Sequence, residues 1–378
     1  MYTLCGLVTC LLTYQANKLL ISRYKTNRKV GNALLVLIVL IFSTMAALRD
    51  YNIGTDISYY VTPVFYNAKR MSFREYWVIN SVIIEPLYLI LNYLIAMFTD
   101  DPRLLMGCIE LIVSGFILLR LSDYKMNRRM WIGVFIFNFA FFPISLNLMR
   151  QSIAMAIIFY ATRYIFSDKL NIHRFILWVV ISMGFHLTGI IGLFILAFVF
   201  YYQKEKNIIR SRTLAREFKT ILLIVGLVIM IFLFNKIVDM IIPISGFSLK
   251  YSSYAVGDIN GFDFKPFLVR SPFLLIIFVY RRHFYEQKCE NYLLYILLLT
   301  DALTSLLRSY STTLYRISIF FAYYKMLAIP NLIESLKPNK RLRITFVICL
   351  LLYVLWIYQI ILQGNEQVYP YTAKWLFN

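Results

Sequence analysis

Polar residues in this chain fall in short clusters between long apolar runs. The apolar segments are 2–20, 32–48, 81–98, 104–121, 130–146, 149–166, 174–186, 187–202, 219–238, 268–280, 291–307, 312–330 and 343–362. Most approach the ~20 residues that a helix needs to cross bilayer hydrocarbon. Alternation of period two over about ten residues, the mark of an outer-membrane strand, is not their pattern. The runs predict an all-α, polytopic integral membrane protein with about twelve transmembrane helices (11–13). No internal repeat or low-complexity tract interrupts them, so residues 1–378 read as a single transmembrane domain.

The connectors orient the chain. RYKTNRK (23–29), DYKMNRR (123–129), DKLNIHR (168–174), QKEKNIIRSRTLAREFK (203–219), RRHFYEQK (281–288) and KPNKRLR (337–343) are basic. Placing all six in the cytoplasm puts about 22 Lys and Arg there against about 9 outside, with both termini outside. The outer parts are then loop 49–80, loop 239–267 and the tail 363–378, and 203–219 is the long cytoplasmic loop. The parity of crossings leaves 81–98 over. With Glu85-Pro86 near its start and Asp100-Asp101-Pro102 just after its end, it is expected to dip into the outer leaflet or lie along it, as a re-entrant or amphipathic helix. The short pair 174–186 and 187–202 predicts a turn at GFHLTG (184–189) that reaches only part of the way out, as broken helices do where they line a cavity.

Composition agrees with a membrane solvent. The chain is 60% hydrophobic, with 29 Tyr, 31 Phe and a mean hydropathy of +0.67, more apolar surface than a soluble domain can hide. A net charge of +20 would fit nucleic acid, but the cations sit in the connectors and no nucleic-acid motif accompanies them. Membrane lipid is the expected contact, and nucleic acid is not. The five cysteines are scattered without a CxxC, and no metal cluster, Walker loop, DxD, HExxH or GxSxG occurs, so neither metal nor cofactor is expected. DINGFD (258–263) has half the ligands of a calcium loop and lacks the glutamate that would complete it. The N-terminus has no basic n-region or cleavage site and reads as a retained helix.

Ionisable side chains near the hydrocarbon are costly, and several gather at predicted outer helix ends. Arg49 and Asp50 leave the second helix in RDYNIGTDISYY (49–60), with Asp56 beyond them. Arg150 and Gln151 open the helix of NLMRQSIAMAI, His186 lies in GFHLTG, Arg308 ends the helix that holds Asp301, and Tyr315 and Arg316 open the next. Each arginine alone could snorkel to headgroups or pair with Asp50, Asp56 or Asp301. Jointly Arg49, Arg150, Arg308 and Arg316 describe a basic cavity whose guanidinium forks suit a diphosphate. His186 is either a proton acceptor for an attacking hydroxyl or a packing histidine satisfied by a carbonyl. Asp56 is the rival base or a sugar-positioning residue, and Glu85 is a third candidate.

Arg49 with GTDISYY, NLMRQSIAMAI, FHLTGII, LYRISIFFAYY and VYPYTAKW, in that order, resemble the EpsG-like and Wzy-type polysaccharide polymerases of bacterial envelopes. The resemblance spans most of the chain and implies a glycosyltransferase of O-antigen biosynthesis in the bacterial inner membrane, with its site facing the periplasm. It would transfer a growing chain from undecaprenyl diphosphate to the non-reducing end of a lipid-linked repeat unit. By that resemblance Arg150, Arg308, Arg316 and Arg49 bind the leaving diphosphate, and His186 or Asp56 takes the proton. Gln151, Glu85, Tyr315, Tyr369 and Tyr371 then position sugars, no metal is required, and a chain-length regulator protein is a candidate partner. The outer loop at 239–267 is shorter than the resemblance leads one to expect. A flippase for lipid-linked oligosaccharide, an O-antigen ligase and a polyprenyl-phosphate-sugar transferase are the alternatives. A flippase would line a transmembrane path with its charges and show two similar halves.

Overall fold

The computed structural model describes residues 1–123, 129–166, 169–205, 226, 264–287, 290–306, 312–373 and 375. Every regular element among them is helical and no strand occurs, so the all-α expectation is met. Backbone contacts divide the chain into two compact units, Met1–Ile190 with Lys325–Asn378, and Ile191–Tyr324.

The first unit contains α1 (Tyr2–Leu20), α2 (Lys25–Leu48), α3 (Thr62–Arg70), α4 (Phe73–Asn80), α5 (Pro86–Ala96) and α6 (Arg103–Ser122). It continues with α7 (Met130–Ile136), α8 (Phe142–Asn147), α9 (Met149–Ala161) and α10 (Ile172–Phe185). Among the described residues, four helical stretches are long and apolar enough to cross a membrane: Lys25–Leu48, Arg103–Ser122, Met130–Asn147 and Pro338–Leu362. All four belong to this unit. The layers follow from which faces are apolar. α2 packs on α1 and α6, α6 packs on α9, and α9 packs on α10. In α9 every residue except Tyr160 is buried, as expected of a helix that is apolar on all sides and central to its bundle.

The first loop is mostly helical. A wide π turn (Ile57–Val61) leads into α3, and α4 starts on a capping box in which Ser72 and Glu75 satisfy each other's backbone N–H. The segment at 81–98 contains only the 11-residue helix α5, about half the length of a crossing. The expected break at GFHLTG is present. α10 ends at Phe185, His186 is extended (φ −159°, ψ 129°), and a 3₁₀ turn covers Leu187–Ile190. Gly189 makes this turn possible, because a Cβ there would come 2.3 Å from the Ser182 hydroxyl.

The second unit contains α11 (Ile191–Glu205), α12 (Lys265–Val279), α13 (Arg281–Gln287), α14 (Glu290–Thr304) and α15 (Thr312–Ala322). α14 is its centre, with Asn291 to Ala302 all buried. The chain then returns to the first unit with α16 (Lys325–Ser335) and α17 (Pro338–Trp356). The predicted segment 219–238, all but one residue of it, and the loops 203–219 and 239–267, DINGFD included, lie outside the described residues apart from their edges.

Candidate functional site

The site in the first unit is built at the junction of α8 and α9. Leu148 (φ −89°, ψ 61°) breaks the helix there, which frees the first N–H groups of α9 and presents Met149, Arg150 and Gln151 together. The Asp56 carboxylate reaches in from the first loop and accepts the Met149 N–H at 3.1 Å, a charge well matched to a helix N-terminus. Beside it, Asn147 Oδ1 accepts both the N–H and the hydroxyl of Thr55, each at 2.8 Å. Gly54, at φ +90°, is the turn that lets these residues approach, with its Cα against the Leu146 carbonyl.

Arg150 is buried, and its Nη1 donates to Glu85 Oε2 at 2.6 Å. Its guanidinium lies 4.1 Å from the ring centre of Tyr60 and 5.7 Å from that of Tyr88. Glu85 precedes Pro86 at the start of α5, and its other oxygen accepts the Leu187 N–H at 3.3 Å. One carboxylate therefore ties Arg150 to the backbone beside His186. The His186 ring is buried, with Nδ1 2.7 Å from the Thr188 hydroxyl and 3.3 Å from the Thr188 N–H. A backbone N–H can only donate, so Nδ1 is the accepting nitrogen and the neutral ring carries its hydrogen on Nε2.

Arg49 occupies a different environment from the one expected. It is fully buried, and Nη2 contacts the sulfurs of Met149 (3.3 Å) and Met106 (3.9 Å). Nε and Nη1 have no hydrogen-bond partner among the described residues, and no carboxylate forms an ion pair with this arginine, so pairing with Asp50 is not found. Glu110, deep on α6, accepts from the Ser145 hydroxyl at 2.7 Å.

The tail 364–375 closes this end of the unit. Asn147 Nδ2 donates to Glu366, Gly54 N–H to Gln367, and Asp50 N–H to Thr372. Tyr2 donates to the Val368 carbonyl, Tyr371 to Met45, and Trp375 to Leu48. Tyr371 is thus anchored over the end of α2, while Tyr369 is about half exposed.

Of the predicted site residues, Arg49, Asp56, Glu85, Arg150, Gln151, His186, Tyr369 and Tyr371 belong to the first unit. Tyr315 and Arg316 lie on α15 of the second, and Arg308 falls outside the described residues. In the second unit Asp301 pairs with Arg270 of α12, which also donates to Ser318 at 2.6 Å. The sequence had offered Asp301 as a possible partner for any of the four outer arginines and had passed over Arg270. Thr55, Tyr60, Asn147, Thr188 and Glu366 were also missed. Thr55 and Tyr60 in GTDISYY, Asn147 in NLMRQ and Thr188 in FHLTG stand inside the motifs that supplied the named residues, which is the signal that could have flagged them; nothing comparable marks Glu366. Among the described residues no three His, Cys, Asp or Glu side chains gather as a metal ion would require.

The model of the EpsG family matches residues 32–373, a stretch that includes the first loop, the start of α9, the His186 turn and the tail. No curated protein and no solved structure matches the chain.

Proposed function

The chain belongs to the EpsG family, and from that premise we propose that it polymerises polysaccharide repeat units carried on a membrane lipid. In detail, it acts as an O-antigen-type polymerase in the bacterial inner membrane, with the site on the periplasmic side. The donor is a growing chain on undecaprenyl diphosphate, and the acceptor is the non-reducing sugar of a lipid-linked unit. The observation that carries this reading is the buried Arg150–Glu85 pair, tied through the Leu187 amide to His186.

In the reaction the acceptor hydroxyl attacks the anomeric carbon of the donor sugar. The bond from that carbon to the diphosphate oxygen breaks, and the diphosphate leaves with the electron pair. Arg150 meets the developing charge, while Glu85 keeps the guanidinium aimed. A preorganised donor of this kind is worth about 2.7–4 kcal/mol in transition-state stabilisation. With Nδ1 held by Thr188, the His186 ring offers Nε2–H, the polarity that suits an anionic oxygen. To act as base it would have to give up the Thr188 N–H contact. Asp56, acceptor-only when ionised, is the alternative base and keeps one oxygen on Met149 N–H. Gln151, Tyr369 and Tyr371 of the same unit contact sugars in this reading. The leaving group is good enough to need no metal.

The test is the envelope-polysaccharide gel of a strain lacking the gene, complemented with wild type, Arg150→Ala, His186→Gln or Asp56→Asn. Long chains should vanish in the null strain while single capped repeat units remain, and Arg150→Ala should fail to restore them. His186→Gln retains an N–H donor and should restore more polymer than Asp56→Asn if His186 donates, and less if it is the base. Loss of every attached repeat in the null strain would point instead to a flippase or ligase. Unchanged polymer in all three variants would end the site assignment.

A further inference from the structure

A second polar site lies at the opposite end of α1 from the tail. The 19 residues of α1 separate Tyr2, which holds the tail, from Leu20 by about 28 Å. At that far end a cavity of about 430 Å³ is lined by Tyr14, Asn17, Lys18, Ile21, Ser22 and Arg23. Asn17 is 1% exposed, and neither its Nδ2 nor its Oδ1 has a hydrogen-bond partner among the described residues. A buried amide left wholly unsatisfied is rare and calls for a ligand. Ser22 Oγ accepts from Asn27 Nδ2 at 2.9 Å, which leaves its hydroxyl hydrogen to donate elsewhere.

The adjacent stretch of sequence is cationic. Lys18, Arg23, Lys25, Arg28 and Lys29 lie within twelve residues, and no acidic residue occurs before Asp50. α2 begins at Lys25 with no side-chain cap and no acid in its first turn, so its N-terminal N–H groups add positive potential. Above the cavity, α1 exposes Leu4, Leu7, Leu11 and Tyr14. Their spacing of three and four residues makes one continuous stripe that ends at Lys18. An apolar stripe leading down to a cationic pocket with a buried amide has the shape and polarity of one acyl lipid with a phosphate head.

We propose that this cavity binds the phosphate of an anionic phospholipid, with Lys18 and Arg23 on its charge, Asn17 and Ser22 on its oxygens, and its acyl chain along the α1 stripe. The site is separate from the polymerisation reading, and residues 14–23 precede the stretch matched by the family.

Native mass spectrometry of the full-length protein in detergent tests it, with phosphatidylglycerol, phosphatidylcholine and inorganic phosphate offered separately. The wild type should retain one phosphatidylglycerol about tenfold more strongly than phosphatidylcholine, the scale of one charge-assisted hydrogen bond. Lys18→Gln with Arg23→Gln should erase the preference. Asn17→Leu should lower retention about tenfold while raising thermal stability in lipid-free detergent, because it removes an unsatisfied amide. Restored long-chain polysaccharide in cells certifies that each variant folds. Equal retention of the two lipids overturns the proposal. So does binding of inorganic phosphate alone with no lipid preference, or an Asn17→Leu variant that retains lipid like the wild type.

Discussion

Two arginines of the first unit show how differently one side chain can be buried. Arg150 has a carboxylate and two aromatic faces, while Arg49 has two thioether sulfurs. Removing one partner of a buried pair strands the other and costs about 3–5 kcal/mol, whereas replacing both with apolar groups is often neutral. Arg150→Met and Glu85→Met should therefore each lower the unfolding temperature. The double variant should recover most of that loss and still make no polymer, which a melting curve beside a polysaccharide gel would show. Outside the spans, Asp101 provides a pH-sensitive contact. Partial burial pushes its carboxyl up, but bonds from the Tyr51 hydroxyl at 2.6 Å and from the Arg103 N–H and guanidinium outweigh that and hold it below the usual aspartate value of 3.8. A carboxyl depressed by folding contributes fully above its unfolded pKa, and the contribution fades as pH falls through the lower folded value. Arg103, which Asp101 holds, stacks 4.2 Å from the Trp375 ring. Acid below about pH 4 should thus change Trp375 fluorescence, with Trp375→Phe as the blank, and Asp101→Asn should lack the acid step. At this scale the sequence named Arg150, Asp56, Glu85 and His186, because charge beside an apolar run is conspicuous. It could not join Glu85 to Arg150 across 65 positions, nor foresee that Arg49 faces sulfur, since both depend on how helices pack.

At the scale of elements, the breaks matter more than the helices. The His186 turn depends on Gly189, and the approach of the first loop depends on Gly54. Gly189→Ala would push a methyl group into the Ser182 hydroxyl and the Met183 backbone, and overpacking of that kind costs about 1–3 kcal/mol. A melting point equal to that of the wild type would show that the turn relaxes freely. Gly54→Ala adds a left-handed strain and a contact 2.7 Å from the Leu146 carbonyl, and its effect should appear in polymer yield, since Thr55 and Asp56 follow it. The apolar runs 32–48, 104–121 and 130–146 foretold α2, α6 and the α7–α8 stretch, because length and composition alone decide such helices. The break at Leu148 falls in the gap between 130–146 and 149–166. Its geometry was not legible, because neither proline nor glycine marks it. The helical content of loop 49–80 was only partly visible, since α3 and α4 are 9 and 8 residues long and owe their order to packing and to the Ser72 cap.

For the whole molecule, the tail is the part least expected from its sequence. VYPYTAKW carried Tyr369 and Tyr371 as sugar-positioning candidates, yet residues 366–373 and 375 make six hydrogen bonds, to Tyr2 of α1, Met45 and Leu48 of α2, Asn147 of α8, and Asp50 and Gly54 of the first loop. A chain stopped after Gln363 should insert but melt at lower temperature and support little polymer. Full activity from that truncation would make the tail dispensable. Tyr371→Phe, which removes only the bond to the Met45 carbonyl, should give a smaller fall of about 1 kcal/mol. The same contacts set an order of events during synthesis. The groups that the tail satisfies on Tyr2, Asp50, Gly54 and Asn147 leave the ribosome more than two hundred residues before it, and wait in the membrane for it to follow. Until then Asn147 lacks its Glu366 carboxylate and the junction of α8 and α9 rests on Thr55 and Asp56 of the first loop, so a chain without the tail should carry Arg150 on a looser helix and, on the proposed function, join sugars poorly.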